Sequence, residues 1–139
     1  MTDHPARAAG LASQHAVRTK DRATWLNLFA PDAVVEDPIG RSPYDPAGNG
    51  HRGRDAIAAF WDTAIAESDI AFRMRDSYAC GAEVAFVGTI TSIRREVTVE
   101  VDGVFTYRVD ADGRIAALRA YWELDRARRT TSGPAETAG

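Results

Sequence analysis

The chain contains a single cysteine, Cys80, so no internal disulfide can form. No reactive motif surrounds Cys80, which reads as a packed thiol rather than a nucleophile. The three histidines, His4, His15 and His51, lack the paired spacing of a metal-ligand set, so no metal site is expected. No apolar run is long enough to cross a bilayer, and the opening MTDHPARAAG lacks the apolar stretch of a secretory signal. A cytoplasmic protein that does not engage membranes is therefore expected. Charge of neither sign dominates: 17 Lys and Arg against 20 Asp and Glu leave a net charge of −3, with no basic footprint for nucleic acid. Only Arg126, Arg128 and Arg129 cluster, and they read as a solvated helix end or a frayed segment. Internal repeats are absent as well.

What is present is an ordinary globular balance, with 45% hydrophobic and 27% charged residues in 139. That length fits one domain over residues 1–139. The ordered core is expected over about residues 6–126, followed by a polar tail, 127–139, expected to be disordered.

The first half carries helical signals. Residues 6–20 are rich in alanine, with Leu11 and Val17 as apolar anchors. Asp21 is a favourable N-cap for a short second helix, on which Trp25, Leu28 and Phe29 share a face. Pro31 closes it, and Ala33–Val35 reads as a short strand. Prolines and glycines then mark an irregular loop over residues 42–53. In the next helix Ile57, Phe60, Trp61, Ala64 and Ile65 recur at i, i+3, i+4, i+7 and i+8, a wide apolar stripe.

The second half alternates with period two. Ile70, Phe72 and Met74 face one way, and Asp76 continues that parity. Val84–Ile93 is a more fully apolar strand. Residues 97–109 form the clearest one, with odd positions from Val97 to Val109 apolar and even positions mostly polar. Gly103 within it suggests a bulge or bend. DADG at 110–113 is a hairpin turn, and residues 114–124 form a last strand with Leu118, Ala120, Trp122 and Leu124 on one face. Helices followed by antiparallel strands predict an α+β fold: a cone-shaped, curved antiparallel sheet wrapped around the N-terminal helices, with an apolar internal cavity.

The stretch VVEDPIGRSP, Val34 to Pro43, raises the chemical question. A strand-like apolar run ends in Glu36 and Asp37, the second fixed against Pro38. Either these are ordinary turn acids, or one carboxylate sits at the mouth of an apolar pocket. In that setting its charged form is disfavoured and it becomes a better base. On an extended segment Glu36 points the other way and reads as solvent-facing.

Taken together, WLNLFAPDAVVEDPIG, GRDAIAAFW and YRVDADGRIAALRAYW, in that order, resemble the Δ5-3-ketosteroid isomerases. These form a branch of the nuclear-transport-factor-two-like, or SnoaL-like, superfamily. The resemblance covers residues 8–125. It implies a steroid Δ-isomerase acting without metal or organic cofactor, with Asp37 as the general base carrying a proton between C4 and C6. It also implies a homodimer through the outward face of the last two strands, Val104 and Tyr121 included. The family's oxyanion hole, a tyrosine and a protonated aspartic acid, is where the chain departs from the pattern. Those two positions correspond to Ser13 and Phe105, and a further pocket tyrosine corresponds to Trp61. Ser13, Asp76, Trp61, Trp122, Tyr107 and Tyr78 are the candidate replacement donors. Phe29, Phe60, Trp61, Phe105, Tyr107 and Trp122 are the aromatic set expected to bind a hydrophobic, steroid-like small molecule.

A second reading of the same residues is a carrier or weakly active binding protein for a steroid or polycyclic lipid, retaining the pocket without the oxyanion hole. A third, a polyketide cyclase or epoxide hydrolase of the same superfamily, would require in the hydrolase case an Asp-Arg-Asp cluster that the sequence does not display.

Overall fold

The computed structural model describes residues 3–132. Helix α1, Pro5–Arg18, has Pro at its first position, where a missing N–H costs nothing. Helix α2, Arg22–Asn27, is capped as expected: the Asp21 carboxylate accepts the Thr24 backbone N–H. Strand β1 follows at once, Phe29–Glu36, and begins earlier than the expected 33–35. Phe29 therefore belongs to a strand and not to the face of α2. A short β2, His51–Arg52, and helix α3, Arg54–Phe60, come next, and α3 runs on as a π-helical turn over Trp61–Ile65.

Four further strands build the sheet: β3 (Asp69–Cys80), β4 (Glu83–Arg94), β5 (Val97–Val109) and β6 (Ile115–Tyr121). The order across the sheet is β2-β1-β6-β5-β4-β3, and the pairings are antiparallel except β1 with β6, which is parallel. After a 3-10 turn at Leu124–Arg126, β7 (Arg128–Thr131) pairs with residues 97–100 of β5. Strand β6 uses the same edge of β5 farther along, at residues 104–109. The expected disordered tail is thus corrected over its first residues. They are held by ladder hydrogen bonds and by Arg128, whose guanidinium lies 2.7 Å from the Asp102 carboxylate. Residues 133–139 of that tail lie outside the described residues.

Two other expectations need correction. The β3–β4 register slips between Met74 and Asp76, a bulge that reverses side-chain parity. Asp76 is consequently exposed, bonded to the Ser77 N–H and the Tyr78 hydroxyl, and does not face inward. Cys80, at the end of the same strand, is exposed rather than packed.

The sheet curves where glycine permits close approach. Gly88 and Gly103 are cross-strand partners with no register slip, so Gly103 marks a close contact and not a bulge. A Cβ on Gly103 would meet the Tyr121 carbonyl oxygen and lie 3.0 Å from the Trp122 Cβ. Helix α1 packs into the resulting concavity against β3, β4 and β5, and Gly10 admits it: a Cβ there would lie 2.6 Å from the Phe86 ring and 2.8 Å from the Tyr107 ring. Trp25, Phe29, Val35, Ile57, Val84 and Ile115 fill the core beside it. Among the described residues no helix is long and apolar enough to cross a membrane.

Gly103→Ala is expected to destabilise the fold by about 1–3 kcal/mol, the usual cost of overpacking, because the added methyl meets backbone that cannot rotate away. Urea unfolding followed by circular dichroism measures it.

Candidate active site

Between α1, the end of β1 and the concave face of β3–β6 lies a cavity of about 450 Å³. That is ample for a drug-sized ligand. Its walls are mainly apolar. Phe60 comes from α3, Phe72 from β3, Ile90 from β4, Phe105 from β5 and Leu118 from β6. Asp37 is the one carboxylate among its lining residues.

The alternation of β1 explains the placement of both acids. Glu36 leaves the strand on the outer side, where its carboxylate meets the Arg119 guanidinium of β6 at 2.9 Å. Its side chain is only 12% exposed, so it is an ion-paired group of the sheet and not the solvent-facing acid expected. Asp37 turns the opposite way, into the cavity wall, next to a cis peptide bond to Pro38. The Trp122 indole N–H donates to its Oδ1 at 2.7 Å. Burial raises the Asp37 carboxyl above the ordinary carboxylate value; the indole hydrogen bond and the nearby His51 pull it back only in part. His51 is half-buried against the Phe60 ring, with centroids 4.7 Å apart.

Ser13 also lines the cavity, from α1, and is only 2% exposed. Its Oγ accepts the Trp25 indole N–H at 3.0 Å. Tyr107, 4% exposed, reaches the same cavity from β5 with its ring edge-on to Phe86. Burial and the negative Asp37 push its phenol up to about 12, while the Gln14 amide and the Ser13 hydroxyl favour the phenolate and oppose that rise. The loop after Pro38 closes one side, with Ser42, Pro43 and Tyr44 at the wall. Asp45 holds that loop through the N–H groups of Gly48 and Gly50.

Of the six expected aromatics, Phe60, Phe105, Tyr107 and Trp122 line the cavity. Phe29 and Trp61 do not. Phe29 is fully buried at the start of β1, its ring 4.7 Å from Trp25 and edge-on to it. Trp61 stands where the α-helix becomes a π-turn, and it packs on Trp25 at 5.2 Å. Both are core residues supporting Trp25. Tyr78, like Asp76, lies on the outside of β3. Sequence reasoning missed Arg129, which lines the cavity from β7, and the Ser42–Tyr44 wall. The four-residue strand carrying Arg129, RRTT, shows no apolar alternation, so no signal announced it.

Residues 12–118 match the SnoaL-like domain family. A steroid Δ-isomerase of Nocardioides simplex is 32% identical over 95 residues, 68% of this chain and 71% of that protein. The crystal structure of Rv0760c from Mycobacterium tuberculosis superposes with a TM-score of 0.90 at 39% identity, covering 94% of this chain and 99% of that one. Rv0760c has also been solved in complex with estradiol-17β-hemisuccinate. The Δ5-3-ketosteroid isomerase from Mycobacterium sp. gives a TM-score of 0.89 at 38% identity, over 92% of this chain and 100% of that one.

The burial of Asp37 has a consequence for stability. Its folded-state pKa is raised above the unfolded value of 3.8. The stability this group contributes is therefore complete below pH 3.8 and is lost as the pH rises through the raised value. Asp37→Asn, which keeps an acceptor for the indole without the charge, is expected to raise the melting temperature at pH 7. The gain over wild type should shrink as the pH falls towards 3.8, and thermal unfolding at a series of pH values checks it.

Proposed function

The chain belongs to the SnoaL-like domain family, and from that premise we propose that it is a steroid Δ-isomerase moving a C=C bond of a 3-ketosteroid through Asp37. One observation carries the reading: the sole carboxylate among the described residues lining an apolar cavity is hydrogen-bonded by an indole and made more basic by burial. The similarity to isomerases of Nocardioides simplex and Mycobacterium sp. supports it.

The chemistry follows from those groups. The Asp37 carboxylate removes a proton from C4 of a Δ5-3-ketone. The C–H electron pair becomes the C3–C4 double bond, and the carbonyl electrons move onto oxygen, giving a dienolate. Asp37, now protonated, returns the proton to C6. The electron pair from oxygen reforms the carbonyl, the C3–C4 pair moves to C4–C5, and the C5–C6 pair forms the new C6–H bond, so the double bond ends between C4 and C5. No net oxidation, water or leaving group is involved. The raised pKa brings the base closer to the acidity of the carbon acid it deprotonates. Trp122 fixes the carboxylate by one oxygen and leaves the other free to carry the proton. The apolar walls supply the surface for a fused-ring skeleton.

A binding protein for the same ligands is the second reading. It is favoured by Phe105, an aromatic ring at the position where the resemblance implies an acidic donor. Complex formation by Rv0760c with a steroid ester is compatible with either reading. We also read the chain as a homodimer through the outer face of β5 and β6, where Tyr121 is 51% exposed opposite Val104. Sedimentation equilibrium tests this: a dimer is expected for the wild type and a monomer for Tyr121→Glu.

The first experiment is a spectrophotometric isomerisation assay on a Δ5-3-ketosteroid, following ultraviolet absorption of the conjugated enone. Wild type is expected to turn over. Asp37→Asn is expected to lose about 100- to 10,000-fold in kcat, the usual worth of a general base. The wild-type kcat/KM should fall with decreasing pH through a pKa above 3.8, because only the ionised carboxylate accepts the proton. Tight steroid binding without turnover would establish the carrier instead.

A further inference from the structure

The isomerase reading leaves the developing negative charge on the substrate oxygen unaccounted for, since Phe105 cannot donate to it. We propose that the Tyr107 hydroxyl is the donor to that oxygen, with Ser13 and Gln14 positioning the phenol. The proposal rests on the isomerase reading and names the electrophilic half of the same site.

The helix sets the geometry. The Tyr107 ring crosses α1 at Gly10, where its Cδ1 and Cε1 atoms leave no room for a Cβ. Ser13 and Gln14 stand three and four residues on from Gly10, on the same helix face. The phenol oxygen lies beyond Cε1, so this crossing brings it towards those two side chains. Ser13, Tyr107 and Asp37 all line one cavity. A ligand held in that cavity lies between walls that carry the base and the phenol.

The direction of the protons follows from what each partner can do. The Trp25 indole has only an N–H to give, and it gives it to Ser13 Oγ at 3.0 Å in a fully buried setting. With a lone pair occupied, Ser13 is left to donate its own proton. Gln14 Nε2 likewise can only donate. It is buried and closes no hydrogen bond of ordinary length and angle to the described residues, so it acts on the phenol oxygen as a nearby dipole. Both groups favour the negative form of the Tyr107 oxygen. Neither consumes its proton. The phenol therefore keeps its O–H for a ligand and becomes a better donor as charge builds on the acceptor. It remains neutral throughout, because burial and the Asp37 charge hold its ionisation at about 12. The dienolate oxygen is stabilised by hydrogen bonding alone, and no proton leaves Tyr107.

The orphaned Gln14 nitrogen gains a role in this arrangement. A buried amide donor without a partner costs stability, and it is tolerated where the charge it serves appears only during the reaction. Donors aimed at such charge contribute to kcat more than to substrate affinity.

The test compares wild type, Tyr107→Phe and Asp37→Asn in the isomerisation assay. It adds the affinity of each protein for estradiol, whose ring phenol mimics the dienolate oxygen, and for 3-deoxyestradiol, which lacks it. Tyr107→Phe is expected to lower kcat by about 100- to 1000-fold with KM changed little. It should also abolish the preference for estradiol over the deoxy compound. If wild type is active and Asp37→Asn is not, yet Tyr107→Phe retains kcat within threefold and keeps the phenol preference, the inference fails while the isomerase reading stands. If wild type shows no turnover, the isomerase reading fails first; phenol preference lost in Tyr107→Phe would then keep Tyr107 as the donor to a ligand's oxygen, and its retention would remove that role too. Should Tyr107→Phe lack a native thermal transition, Gln14→Leu replaces it. A kcat loss above threefold at unchanged KM then supports the assignment, and unchanged kcat overturns it.

Discussion

The site depends on keeping one carboxylate in an apolar wall. Water would stabilise the Asp37 anion far better than this cavity does, so burial works against it, and the surrounding structure supplies what holds it. The Trp122 indole donates to Oδ1 at 2.7 Å, Pro38 fixes the chain beyond it, and Glu36 ties the strand to Arg119 on the opposite side. A second donor to the carboxylate would steady the anion further and weaken it as a base. In the proposed mechanism one indole bond is a compromise between holding the group and leaving it reactive.

The curvature of the sheet serves the same end. Trp122 follows directly on β6, and its Cβ passes close to Gly103. With a side chain at Gly103 the Tyr121–Trp122 backbone could not approach β5 so nearly, and the indole that bonds Asp37 would be displaced. Gly10 does the corresponding work on the other wall, where it seats α1 on Tyr107. Two hydrogen atoms in place of side chains thus position the two polar ends of the site, one acidic and one hydroxylic, within an otherwise apolar space.

Much of this was legible in the chain. The alternation over 97–109 coincides with β5, Asp21 caps α2, and the parity of VVEDP correctly separates Glu36 from Asp37. The failures share a cause: local pattern was overruled by an event it does not encode. A bulge at residue 75 turned Asp76 outward although its parity with Phe72 and Met74 was inward. On the otherwise inward-facing stripe Trp61 packs on Trp25 instead of the cavity, and the early start of β1 withdrew Phe29 from the face of α2. Strand β7 is polar throughout and forms because β6 leaves the first half of the β5 edge unpaired. Donor and acceptor directions among Trp25, Ser13, Gln14 and Tyr107 depend on helix-to-sheet contact and have no signature in sequence order.

Phe105 then takes on a different meaning. Residues 105 and 107 are neighbours on the inward face of β5, one pleat repeat apart. An apolar ring at 105 removes a donor that an acidic residue would have to keep protonated in a dry site, with a like-charged Asp37 nearby. A phenol one repeat along needs no such adjustment, since its proton stays on at neutral pH in any environment this cavity offers. It also reaches farther from the backbone than a carboxyl, so a donor moved along the strand still addresses the same space. On the proposed assignment of Tyr107, the exchange replaces a group whose charge state must be enforced by one whose charge state is assured, and it frees position 105 for apolar contact with a ligand.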